Sequence, residues 1–259
     1  MGSLVTIKKA NELRIIREAG KRLGEILKIL GDYVAPGIST LDLDRKAKEL
    51  IEANGDAPAF LGYKASGMRK SYPATLCVSV NDEIVHGIPG DYILKDGDIV
   101  GLDLGLIREK LFVDAAITVA VGKVSSEDAK LIEDTKESLN LAIKTIRPGS
   151  TTGDIGAAIE EFVTPLGYGI VDELAGHGVG YAVHEPPFVP NLGRKGEGVK
   201  LLPGMVIAIE PMLTLGTNKI KLAQDGFTYK TRDGSKSAHF EHTVIITESG
   251  HEVVTKPSY

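Results

Sequence analysis

The sequence predicts an α+β fold of two matching halves, with helices outside a curved antiparallel sheet and acidic side chains facing a central cleft. Three observations predict it. A helix, a Pro-Gly turn and a second capped helix occur twice, over residues 11–55 and 125–168. Each helix pair is followed by short runs of branched apolar residues with strand composition. Each run carries an acid: Asp103 and Asp114 in the first half, Glu210 and Glu241 in the second.

The elements follow in order. NELRIIREAGKRLGEILKIL places Leu13, Ile16, Leu23, Ile26 and Leu27 at helix spacing. Pro36-Gly37 makes a turn, and Ser39 or Thr40 can cap LDLDRKAKELIEANG, which stops near Gly55. The second half repeats the plan with SSEDAKLIEDTKESLNLAIKTI, a turn at Pro148-Gly149, and Thr151 or Thr152 capping DIGAAIEEFVTPLGY. The repetition suggests an internal duplication, although helix-turn-helix units are common enough to recur by chance. LKDGDIVGLDLGLI then matches LLPGMVIAIEPMLT, with Asp103 against Glu210. LFVDAAITVAV matches AHFEHTVIITE, with Asp114 against Glu241. No low-complexity linker separates the halves. The expected organisation is one domain over 8–250, with halves of about 10–122 and 123–250, and tails at 1–7 and 251–259.

Composition excludes several classes. The 259 residues are 42% hydrophobic, enough for a sizeable core. A net charge of -5 and the lack of basic patches with interleaved aromatics argue against a nucleic-acid partner; Arg69 and Lys70 read as surface charges in a loop. No apolar run approaches the roughly 20 residues of a membrane helix, and the charged opening has no signal-peptide core. A cytoplasmic location is the expectation. The single cysteine, Cys77, rules out an internal disulfide framework or a thiolate cluster. Any metal site must therefore use histidine and carboxylate.

An acid inside an apolar strand is costly, because an unpaired buried carboxylate loses far more than a strand residue gains by packing. One such acid could be a solvent-facing residue. Four, at matching places in two halves, point to carboxylates that repel one another and need positive charge between them. A pair of divalent cations answers that need. The donor set suits Mn, Fe, Co or Zn and does not choose among them.

Of six histidines, His251 sits in the polar tail and reads as a surface residue. His86 lies at a strand-to-turn transition in VSVNDEIVHGIPG, and His177 and His184 lie in AGHGVGYAVHEPP. Their spacing of seven does not fit HExxH, which needs four on one helix face, and prolines follow Glu185. Gly176, Gly178 and Gly180 lack the strand, helix and ribose acid of a dinucleotide loop. There is no G-x-S-x-G elbow and no P-loop. Cys77, in an apolar run with no adjacent base, reads as a buried structural thiol that can line a pocket.

NDEIVHGIP, GDIVGLDLG, FVDAAITV, GHGVGYAVHEPP, PGMVIAIEPM and SAHFEHTVIIT together resemble the type I methionine aminopeptidases of the pita-bread fold, over about residues 8–248. The resemblance implies excision of N-terminal methionine from peptides and nascent chains, with a small second residue preferred. It implies metal ligands Asp103, Asp114, His177, Glu210 and Glu241. Asp114 and Glu241 would bridge two ions, Asp103 would bind one through both oxygens, and His177 and Glu210 would complete the other. His86 and His184 would contact substrate and help stabilise the tetrahedral intermediate, with Glu210 shuttling the proton. Phe60, Tyr72, Cys77 and Phe227 would form the methionine pocket, Phe227 standing where the family usually has tryptophan. His239 stands where glutamine is common and reads as a group holding Glu241, the alternative being a surface histidine. GYKASGMRKSYPATLC is longer than its counterpart in many bacterial members, which could alter the pocket rim. A monomer is the expected state, and a ribosome contact is left open.

Two other functions compete. Proline-specific peptidases of this fold usually carry an extra N-terminal domain, for which little chain precedes the first helix here. A non-catalytic scaffold would lack a ligand, yet all five are present. The short stretch between His184 and Glu210 lacks the helical insertion of the type II branch.

Overall fold

The computed structural model describes residues 5–64, 70–147 and 149–256. Arg69, the middle of the long loop before Tyr72, and Pro148 of the second turn lie outside them. Among the described residues four α-helices are present: α1 (Ala10–Tyr33), α2 (Thr40–Ala53), α3 (Ser126–Lys144) and α4 (Thr152–Val163). The strands of the first half are β1 (Ala57–Pro58), β2 (Leu76–Val80), β3 (Glu83–Val85), β4 (Ile99–Arg108) and β5 (Leu111–Ala120). Those of the second are β6 (Gly169–Ile170), β7 (Gly176–Gly178), β8 (Glu185–Val189), β9 (Val206–Ile209), β10 (Met212–Thr214), β11 (Ile220–Leu222), β12 (Tyr229–Thr231), β13 (Ser237–His239), β14 (Glu241–Thr247) and β15 (Gly250–Val253).

The two halves match in detail. Ser39 caps α2 by accepting from the Asp42 amide, and Thr151 caps α4 in a reciprocal box with Asp154. Each cap residue also makes an isolated antiparallel bridge, Ser39 with Ile93 and Thr151 with Lys200. The turn glycines Gly37 and Gly149 hold φ values of +94° and +92°, a region that glycine enters without steric cost. Two core clusters form, one centred on each half and each taking in residues of the other. One gathers Ile16, Leu23 and Leu30 of α1 against Leu102 and Leu104; the other gathers Leu139 and Ile143 of α3 with Ile155 and Ile159 of α4 against Ile207 and Val244.

The main sheet runs β1-β4-β5-β14-β9-β7-β8, with β2 beside β4 and β15 beside β14. The halves join where β5 meets β14, in the short register Glu241↔Ala116 and His242↔Ala115. A curved antiparallel sheet with helices outside is the pita-bread arrangement.

The structure departs from the sequence expectations at three places. α4 stops at Val163, because Pro165 cannot continue an α-helix and a 3₁₀ turn follows (Thr164–Leu166). The strand expected around Glu210 ends at Ile209, so Glu210 and Pro211 lie between β9 and β10. The expected tails are partly built into the fold. β15 includes residues 251–253, Thr255 is buried, and the Val254 and Thr255 backbone packs so closely on Gly20 and Gly24 of α1 that no side chain would fit there.

At the other end, the buried Lys8 ammonium donates to Glu185 and Thr6 and lies 5.0 Å from the Tyr181 ring centroid. Burial lowers the Lys8 pKa, and Glu185 opposes that shift. Lys8→Met leaves the Glu185 carboxylate buried without its cation. The expected cost is about 3 kcal/mol, read as a lower urea midpoint.

Candidate metal centre

Strand register places the acids on one face of the sheet. Side chains at directly paired positions of an antiparallel sheet point to the same side. Cys77 of β2 pairs with Asp103 of β4, Asp103 with Ala116 of β5, and Ala116 with Glu241 of β14. Asp114 is two residues from Ala116 and shares its face. Farther along, Thr243 of β14 pairs with Ala208 of β9, and Ala208 with His177 of β7. The small side chains of Ala116 and Ala208 leave the floor of the cleft open between the larger polar groups. Asp114 is fixed through its backbone, whose amide donates to the Thr243 hydroxyl while its carbonyl accepts from it.

The acids are short of partners. Asp103 Oδ1, Asp114 Oδ1 and Glu241 Oε1 are buried without a hydrogen-bond donor. Burial first, and then the other carboxylates, drive Asp114 and Glu241 well above the usual carboxylate range. Burial also lifts Asp103 to about 7, with Glu210 adding to the shift and His239 opposing it. Ligand atoms of Asp114, His177 and Glu241 lie within 4.8 Å of one another. Orphaned carboxylate oxygens converging with an imidazole fit a bound divalent cation, and these residues form a site able to hold one.

His177 is oriented for that task. Its Nδ1 lies 2.9 Å from the Gly178 carbonyl, which can only accept, so Nδ1 carries the proton. Nε2 then faces the acids, 3.5 Å from Glu210 Oε1 and 4.0 Å from Glu241 Oε1. A carbonyl that fixes the metal-binding tautomer of histidine is a common supporting feature of metal sites.

His239 is buried, and its Nε2 is 3.4 Å from Glu210 Oε2. It stands beside Glu210, not Glu241 as the sequence suggested, and its Nε2 is itself buried without a hydrogen-bond partner. β13 pairs with β10, which directly follows the Glu210-Pro211 link, and that register sets the target. Burial pushes the Glu210 carboxyl upward, but the adjacent His239 and His177 outweigh it and the net shift is downward. Glu210 is thus the acid of the cluster most readily ionised.

Every sequence-predicted ligand, both His86 and His184, and all four pocket residues line one cavity of about 180 Å³. Its inner wall is apolar. Phe60 fits there because Gly105 has no side chain: a Cβ at that position would stand 2.7 Å from the Phe60 ring. Tyr72 meets Phe227 edge-on at 5.6 Å, and its hydroxyl donates to the Gly87 carbonyl at 2.8 Å. Cys77 is buried, and burial raises its thiol well above the ordinary range. It should therefore resist a thiol reagent in the native protein and react fully after denaturation, as labelling with and without urea would measure.

His86 and His184 flank the cavity mouth. Burial lowers His86 to about 4; desolvation in the cleft and the nearby His177 lower His184. Both rings are neutral at neutral pH. The sequence reading missed Tyr63, whose hydroxyl lies 2.8 Å from His184 Nδ1, and Tyr229, which packs edge-on to His86. The first contact spans 121 residues of sequence, so no local pattern could reveal it.

Residues 14–248 match metallopeptidase family M24. The chain is 44% identical to a methionine aminopeptidase of Clostridium perfringens, covering 97% of this chain and 99% of that one. It is 47% identical to a methionine aminopeptidase of Aquifex aeolicus, with 95% and 96% covered. The crystal structure of methionine aminopeptidase from Rickettsia prowazekii superposes with a TM-score of 0.93 at 36% identity, over 97% of this chain and all of that one. The chain belongs to metallopeptidase family M24 and, within it, to the type I methionine aminopeptidases.

Proposed function

We propose that this chain hydrolyses the first peptide bond of peptides and nascent proteins that begin with methionine and carry a small second residue. The observation that carries the reading is the adjoining of two features. Three orphaned carboxylate oxygens, on Asp103, Asp114 and Glu241, border a cavity of about 180 Å³ whose inner wall is apolar and which has room for one side chain. Two divalent ions are proposed, held by Asp103, Asp114, His177, Glu210 and Glu241. When bound, they supply charge that offsets the carboxylates and acidifies water toward neutral pH.

The chain's own groups then divide the work. Phe60, Tyr72, Cys77 and Phe227 surround the methionine side chain and admit an unbranched apolar group. The site rewards a free terminal amine beside His86, and that preference confines cleavage to the first bond. Glu210, ionised beside His239, takes the proton of the attacking water and returns it to the leaving amine. With the Tyr63 hydroxyl as donor to His184 Nδ1, the neutral ring would carry its proton on Nε2 and donate to the developing oxyanion. His86 stays neutral at the mouth and accepts from the substrate's terminal ammonium. We further propose a cytoplasmic monomer that meets newly made chains. Among the described residues no helix is long and apolar enough to cross a membrane.

The test is hydrolysis of Met-Ala-Ser and Ala-Pro-Ser by protein stripped of metal and reloaded with Mn, Fe, Co or Zn. Release of methionine alone is the expected result. Release of alanine ahead of proline would transfer the chain to the proline-specific branch, and cleavage of neither peptide would leave a non-catalytic scaffold.

A further inference from the structure

A second cavity opens from the first. It is an open groove of about 670 Å³ that shares His86, His177, His184 and Glu210 with the inner chamber. Its lining also includes the apolar Val5, Leu174, Pro187, Phe188 and Val199, and Glu185, whose carboxylate is paired with Lys8. Phe188 is 64% exposed, more than any other large hydrophobic side chain among the described residues. Its neighbours Pro187 and Val189 on β8 are buried, so strand alternation turns Phe188 alone outward. The register places it opposite His177, so its side chain rises from the same sheet face as the metal-binding histidine, one strand farther out. β8 is the edge of the main sheet, so its outer backbone groups have no strand neighbour.

Building on the function proposed above, we infer that this groove receives the substrate chain beyond its second residue, with Phe188 as the contact for an apolar third or fourth side chain. Continuity fixes the occupant. A chain whose first side chain fills the inner cavity and whose first peptide bond lies among His177, His184 and Glu210 leaves through the space those residues also border. An exposed aromatic beside Val5, Leu174 and Val199 favours apolar side chains, and the one charged residue on its own strand, Glu185, is already paired with Lys8. A partly covered ring contact of this kind corresponds to roughly a fivefold preference. Because the contact lies far from the reacting bond, it should act through KM rather than kcat.

The test compares kcat/KM for Met-Ala-Phe-Phe-Ser with that for Met-Ala-Gly-Gly-Ser, using the metal-loaded parent enzyme, Phe188→Ser and Phe188→Leu. The expected ratio is about five for the parent, near one for Phe188→Ser and intermediate for Phe188→Leu, carried by KM. Equal rates on both peptides in the parent, or an unchanged ratio in Phe188→Ser, would overturn the groove assignment while leaving methionine release intact. Failure of the parent to cleave either peptide would overturn both this inference and the function on which it rests.

Discussion

Asp103→Asn is expected to make the metal-free protein more stable and the metal-treated enzyme nearly inactive. Asp103 is buried beside like charges, and its folded-state pKa of about 7 lies well above the roughly 4 of an unfolded aspartate. A carboxyl raised in this way contributes stability that is fully present below about pH 4 and is lost as pH rises through about 7. The metal-free parent should therefore weaken over that window. The amide has no charge to desolvate, so the variant should lose this part of the pH dependence and gain on the order of 2–4 kcal/mol at pH 8. The same change removes a proposed ligand. Altering groups that merely support ligands already costs 10–100-fold, so a drop in methionine release of roughly a hundredfold or more is expected. Urea midpoints in chelator at pH 5 and pH 8, with initial rates on Met-Ala-Ser after metal addition, measure both effects. A metal-free parent that is more stable at pH 8 than at pH 5, with Asp103→Asn destabilising, would mean that protein partners already satisfy the cluster.

Glu210→Gln should lower kcat by roughly 10²–10⁴, the usual contribution of a positioned acid–base group. Glutamine keeps the shape but cannot hold the proton. His239→Asn tests the same site from behind. Its ring nitrogen sits 3.4 Å from Glu210 and touches no cavity wall, so its loss should act through the carboxylate. The expected decrease is about 10–100-fold, with the acid limb of the kcat profile moved upward as Glu210 loses its stabilising neighbour. KM for Met-Ala-Ser should change little in His239→Asn, because the pocket walls are untouched. An unmoved pH profile in that variant would reduce His239 to a packing residue.

How much of this was legible in the sequence depended on range. Asp103 and Asp114 stand out because a charge amid branched apolar residues contradicts its neighbours, and that contradiction is local. Helix caps and the Pro-Gly turns are local too, and Ser39 and Thr151 cap their helices as expected. The backbone around Glu210 was misread because IAIEP carries strand composition up to the acid, while Pro211 lacks the amide needed to extend the ladder. His239 was assigned to Glu241 because the two are close in sequence; only the β10–β13 register shows that it reaches Glu210. The Lys8–Glu185 pair, 177 residues apart, left no trace in composition or period. The same holds for the C-terminal segment, whose polar residues read as a tail until their backbone is seen against Gly20 and Gly24. Charge placed against its surroundings could be read directly; partnerships across the fold required the sheet.

The central claim is that methionine release requires metal held by this carboxylate–histidine cluster. The most direct measurement titrates Mn into chelator-stripped protein while following bound metal and the initial rate on Met-Ala-Ser in the same samples. The expected result is no release in chelator, a rate that climbs with occupancy and saturates with it, and less than about one hundredth of that rate in Glu210→Gln at full exposure to metal. Methionine release by the stripped protein, or none by the fully loaded parent, would contradict the account.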